Sequence, residues 1–228
     1  MKFNFEKMDK IGEGEDKKVY VHPKDESKVV ARFKEKEENL VETARQIKGR
    51  FYLTKILHLI FPTSIPDVSL VAKGENTILV SEKKKLDELH KKHNKLRTQV
   101  RYENNQSPEL SKEYSRIYEG HEDRLIWDDK YIDFLRDIAS LGVDLDPSPS
   151  NFGYDKDKNL VYVDNDFKPW KIRTNQEKTR VEMIKNYDRE QILEASDKLD
   201  EETRGKIKSH LDRLDTLFKE EQEKLGYT

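Results

Sequence analysis

The chain of 228 residues is long enough for one moderate domain or two small lobes around a shared cleft. Charged residues make up 39% of it and hydrophobic ones 34%, but 44 lysines and arginines nearly balance 46 aspartates and glutamates; the net charge of -2 argues against a general nucleic-acid binder. The chain has no cysteine, which excludes disulfides and thiolate chemistry, and no apolar run long enough to span a bilayer or serve as a signal peptide, so a cytoplasmic protein is expected.

Taken in chain order, residues 17–22 and 27–34 are β-prone, and Pro23-Lys24-Asp25-Glu26 between them supplies turn chemistry, so the pair reads as an antiparallel hairpin. From about Glu35 the period becomes helical through Leu40, Ala44, Ile47, Phe51 and Thr54, which predicts a long helix to about Ile60, ended by Pro62 and Pro66. Val68 to Ala72 and Thr77 to Val80 read as two further strands. Residues 82–126 are rich in lysine, glutamate and asparagine and read as a pair of solvated helices or a segment that orders on a partner. His90 and His93 are assigned to a solvated helix face, Tyr114 and Tyr118 to another helix face, and Trp127 and Trp170 to packing between lobes.

Residues 129–141 give an amphipathic helix through Tyr131, Phe134, Leu135, Ile138 and Leu141, with Gly142 as its C-cap. A loop from Asp144 to Gly153 and a strand near Leu160 to Val163 follow, and the tail from about Gln176 to Lys224 reads as helical, packed on the second lobe. Within this stretch Asp146 and Asn151 lie five residues apart in a loop that Pro147 and Pro149 hold extended. Asp164 ends the strand thirteen residues after Asn151. Such a layout can set two carboxylates and one amide oxygen around a common point, and magnesium prefers hard oxygen ligands.

The pattern Asp146-x-x-x-x-Asn151, followed by a strand and Asp164, resembles the catalytic and metal loops of the protein-kinase-like superfamily. The likeness is to small bacterial or phage-type kinases, of the aminoglycoside phosphotransferase and lipopolysaccharide-kinase kind. Gly12-Glu13-Gly14-Glu15-Asp16-Lys17-Lys18-Val19 is similar to the family's glycine-rich turn over ATP, with Lys17 where the third glycine usually sits. The resemblance covers roughly residues 8 to 170.

It implies an α+β, bilobal protein-kinase-like fold, with a small antiparallel-sheet N-lobe at 1–80 and a mainly helical C-lobe at 81–228. Its cofactors would be ATP and Mg2+. Asp146 would orient or deprotonate the acceptor hydroxyl, while Asn151 and Asp164 hold magnesium, with Asp166 as a further possible ligand. Gly12 and Gly14 would approach the phosphates, Val19 and Val30 would cover the adenine, and Val80 would lead into a hinge at Ser81-Glu82-Lys83. Alternation puts Arg32 and Lys34 on one face, so either could grip the phosphates, with Arg32 favoured. Glu42, or Glu38 behind it, would pair with that cation. Leu145 stands where a histidine or arginine commonly precedes the catalytic aspartate, and Asn165-Asp166-Phe167 replaces the usual Phe-Gly.

The function expected is transfer of the γ-phosphoryl group to a hydroxyl of a small molecule, sugar or protein. A pseudokinase serving as a nucleotide-binding or scaffolding module, or a protein nucleotidyltransferase on the same fold, stands as the alternative.

Overall fold

A computed structural model describes residues 3–13, 17–33, 44–73, 76–101, 107–126, 128–164, 167–175 and 180–226. The fold is α+β. Its first half builds one antiparallel sheet from β1 (Lys10–Glu13), β2 (Lys17–Val21), β3 (Lys28–Phe33), β4 (Val68–Lys73) and β5 (Asn76–Glu82), in the spatial order β1-β2-β3-β5-β4. The turn at Pro23 closes β2 onto β3, with Asp25 accepting from the Ser27 amide at 3.1 Å. Helix α1 (Ala44–Ile60) lies between β3 and β4 in sequence and packs against β4 and β5. The expected start of this helix at Glu35 falls outside the described residues.

The second half opens with a helical hairpin, α2 (Glu88–Arg101) and α3 (Pro108–Ile126), followed by α4 (Asp129–Ser140). Two short strands, β6 (Phe152–Tyr154) and β7 (Leu160–Tyr162), form a hairpin of their own. Part of the stretch read as a helical tail is instead a strand, β9 (Arg180–Lys185), which pairs antiparallel with β8 (Trp170–Asn175). The physical reason is pairing: Lys171 meets Ile184 and Ile172 meets Met183 in an antiparallel ladder, which supplies the backbone partners of both strands. Helices α5 (Arg189–Ser196) and α6 (Glu201–Lys224) complete the chain. Asp128, Asp188 and Asp200 cap α4, α5 and α6, each accepting a backbone amide in the first turn.

The main core is continuous. It joins Leu53, Ile56, Leu57 and Ile60 of α1 to Phe134 and Ile138 of α4, to Phe152 and Tyr162 of the small hairpin, and to Ile207, Leu211, Leu214 and Phe218 of α6. The tail therefore packs chiefly along α1, which belongs to the first half, rather than on the second half alone. Trp170 is buried and meets Phe218 edge-on, with ring centroids 5.9 Å apart; Trp127 lies outside the described residues. Among the described residues no helix is long and apolar enough to cross a membrane.

Candidate functional site

The loop after α4 is fixed at both ends. Gly142 takes φ +69°, a left-handed conformation that stops the helix with little steric cost, and a Cβ there would lie 2.9 Å from the Asp188 amide nitrogen. Tyr131 donates its hydroxyl to the Pro147 carbonyl at 2.6 Å, and Pro149–Asn151 close a single 3-10 turn. Asp146 is exposed, and its Oδ1 accepts the Ser148 amide at 2.9 Å. Asn151 is buried; its Nδ2 donates to the Asp146 carbonyl at 3.2 Å, which turns the amide nitrogen toward the loop.

The step from Asn151 to Asp164 is made by backbone. The Val163 amide donates to the Asn151 carbonyl at 2.8 Å, so the residue before Asp164 is tied to the residue that closes the loop. Behind this junction lies Tyr162, whose phenol is pushed above its ordinary range by burial and then by the carboxylates of Asp164, Asp146 and Asp144. One buried ring thus feels all three acids. Of them, Asp144 is engaged with Lys171 at the surface.

The back of the loop is held by the hairpin of α2 and α3. His90 Nδ1 lies 2.6 Å from the Phe152 carbonyl, and His121 Nε2 lies 2.9 Å from Pro149 O and 3.0 Å from Phe152 O. A carbonyl has no proton to give, so these ring nitrogens are the donors. His93 is fully buried between Tyr114, Tyr118 and His121. The assignment of His90 and His93 to a solvated face is corrected here: α3 and the loop cover them. Both histidines sit among lysines in the sequence, and their burial depends on partners some thirty to sixty residues away, the His121 and Phe152 contacts.

A cleft of about 680 Å³ opens between the sheet and α2. Its walls include Gly12, Val19, Val29, Ser81, Leu86 and Val163, and its rim carries Lys83, Lys85, Lys91 and Lys95. Strand register decides which candidates face it. Val19 pairs with Ala31, Val21 with Val29, and Val29 with Ser81, so these side chains share the cleft face. Val30 pairs with Tyr20 and Val80, and Arg32 with Lys18, on the opposite face. There the Arg32 guanidinium lies 5.1 Å from the centre of the Phe5 ring.

Gly12, Val19, Asp146, Asn151 and Asp164 are therefore gathered around the cleft and the adjoining loop, whereas Val30, Arg32 and Val80 are not. Gly14, Lys34, Glu38, Glu42 and Asp166 lie outside the described residues. The residue that sequence reasoning passed over is Lys17. It pairs with Phe33 on the cleft face, and its ammonium contacts the Asp164 carboxylate. The available signal was its position two residues before Val19, which places both side chains on one face of a strand.

Among the described residues no group of three His, Asp or Glu side chains forms a metal cage. The donors that are present, the Asp164 carboxylate and the Asn151 amide oxygen, suit magnesium, which is commonly held by one or two carboxylates together with substrate phosphates. Compared with known proteins, the chain matches no protein-family model, and no curated protein sequence matches it at a significant level.

Proposed function

We propose that this chain is a cytoplasmic, ATP- and Mg-dependent phosphotransferase with a bilobal protein-kinase-like architecture. The observation that carries the reading is the meeting of the two halves at Asp164: the Asn151 carbonyl receives the Val163 amide from one side, and Lys17 of the sheet reaches the Asp164 carboxylate from the other. The strand order β1-β2-β3-β5-β4, with α1 between β3 and β4, supports the same architecture. So does a cleft between that sheet and α2 that ends at Val163.

In this reading the adenine lies between Val19, Val29 and Leu86, beside the chain at Lys84-Lys85. The expected hinge at Ser81-Glu82-Lys83 is corrected, because Ser81 and Glu82 belong to the sheet and the Glu82 and Lys83 amides are bonded to the Asp67 and Ser27 carbonyls. Asn151 and Asp164 hold the metal, which supplies neutralisation of the phosphate charge during in-line transfer. Asp146 is exposed to the acceptor and takes a hydrogen bond from its hydroxyl, aligning that oxygen. The protein's contribution is positioning and fixed charge, which is where most of the rate is available.

Calorimetric titration of ATP with and without magnesium, on wild type and on Asp164→Ala, tests the reading. Magnesium-dependent binding that collapses in the variant is expected, followed by turnover that Asp146→Asn abolishes. An acceptor gaining about 80 Da identifies phosphoryl transfer, and about 329 Da nucleotidyl transfer. A pseudokinase is favoured by one feature, the hydrocarbon face of Val29, Ala31 and Phe33 on β3, of which Val29 lines the cleft. Magnesium-independent binding without turnover would establish that alternative, and no binding by wild type would end both.

A further inference from the structure

Among the described residues of β3, none presents a cation to the cleft face. Val29, Ala31 and Phe33 share that face, and Arg32 points to the other, over Phe5. The cleft face of β2 does carry a cation. Lys17 is the register partner of Phe33, its side chain is 15% exposed, and its ammonium rests on an Asp164 carboxylate that is 26% exposed. Among the described residues, Asp164 is its one ion-pair partner. An ammonium so far withdrawn from water needs an anion beside it.

Resting on the phosphotransferase reading above, we infer that Lys17 is the phosphate-binding residue and that it shares Asp164 with the divalent cation. A carboxylate neutralised by an ammonium is a poorer metal ligand than a bare one. A divalent ion arriving alone competes with Lys17 for that carboxylate, and loosening the pair leaves the ammonium poorly solvated. Nucleotide phosphates remove that obstacle, because they offer the three donors of the ammonium a new set of oxygens. Metal and nucleotide therefore bind with positive coupling, each tightening the other, and Lys17 transmits it. The lysine in the third-glycine position thereby combines phosphate binding with control of metal access to Asp164.

The test is a pair of affinities that move in opposite directions. Mn2+ binding without nucleotide is followed by electron paramagnetic resonance, and Mg-ATP binding by calorimetry, for wild type, Lys17→Met and Lys18→Met. Lys18 lies on the opposite face of the strand, opposite Arg32, and serves as the control. Lys17→Met is expected to bind Mn2+ alone about tenfold more tightly and Mg-ATP about tenfold more weakly, with Lys18→Met unchanged in both. Lys17→Gln carries the same expectation if Lys17→Met does not fold. Weakening of both affinities would mark a purely structural ion pair and overturn the inference. Wild-type nucleotide binding that Lys17→Met leaves unaltered would overturn it while sparing the phosphotransferase reading. Absence of nucleotide binding by wild type would overturn both together.

Discussion

Two helical regions of this protein are buried by different physics. Helix α6 buries Ile207, Leu211, Leu214 and Phe218 in the main core, along α1. Among its described residues the hairpin of α2 and α3 buries few apolar side chains; its interior is His90, His93 and His121 with Leu96, while Leu125 joins the main core. The His121 ring lies 5.4 Å from His93 and 5.5 Å from His90, and the latter two also meet Tyr114, Tyr118 or the Phe152 carbonyl. An apolar stripe is held by area and tolerates small shifts. In the histidine interior, His90 and His121 make directed hydrogen bonds to the loop that carries Asn151, and His93 packs by ring contacts, so the position of the hairpin and the shape of the loop are set together. Gly153 completes this fit, since a Cβ there would come within 3.0 Å of the His90 ring.

The largest effect is expected from the apolar side of the comparison. Leu211 is fully buried, and Leu211→Ala removes methyl groups from the contact between α6 and the rest of the core. A loss of about 2–5 kcal/mol is expected in urea unfolding, nearly independent of pH between 5 and 8. A pH-dependent loss would show that the substitution also disturbs the histidine interior and shifts its titration.

The polar side should respond less in magnitude and more in character. His121→Ala takes a donor from two carbonyls, Pro149 O and Phe152 O, and is expected to cost roughly 1–3 kcal/mol. It should also loosen Mg-ATP binding, because those carbonyls flank Asn151. The pH profile supplies the sharper test. Burial and then the neighbouring His121 push the His90 pKa down to about 4, and burial lowers His121 as well. Asp87, Arg97 and Arg124 face these rings, Asp87 opposing the shift of both, Arg97 lowering His90 and Arg124 lowering His121. A depressed folded-state value means that the unfolded chain takes up protons first. The stability that His90 contributes is therefore full above the ordinary histidine value of 6.5 and falls as the pH drops toward about 4, by roughly 1.4 kcal/mol per unit, and His121 acts in the same direction. Unfolding free energy measured from pH 7.5 to 4.5 should show this slope in wild type and a flatter one in His90→Gln. Equal slopes would place the acid sensitivity elsewhere.

Much of this architecture was legible where the signal is local. The hairpin of β2 and β3 announces itself by β-prone residues on each side of Pro23, and α4 by its apolar period and Gly142. The Asp146, Asn151 and Asp164 spacing singled out the loop and strand that the Val163–Asn151 bond joins. What could not be read depends on distant partners. Alternation groups Arg32 correctly with Val30, but which face meets the cleft depends on pairing with β2 and β5, and that register puts Ala31 there instead. In Val181-Glu182-Met183-Ile184 the spacings of two and of three are both present, and only pairing with β8 selects the strand. His90 and His93 looked solvated for the same reason: α3 covers them across a helical hairpin.

The smallest expected effect concerns the outer fastening of that hairpin. Arg124 Nη2 donates to Asp87 at 2.7 Å, and the guanidinium lies 4.1 Å from the centre of the Tyr154 ring, linking α3 to the start of α2 and to β6. The arginine side chain is 38% exposed, so water screens the pair. Arg124→Met keeps an apolar stem against Tyr154 and removes the charge, and about 0.5–1 kcal/mol should be lost at low ionic strength. Raising the salt from 0.02 M to 0.5 M should shrink that difference, because an exposed pair is shielded while ring stacking and buried hydrogen bonds are not. A difference that persists at high salt would mean that the guanidinium acts through its packing on Tyr154. The outer edge of the hairpin would then be held by contact area, as α6 is, and the polar character of this region would be confined to its histidines.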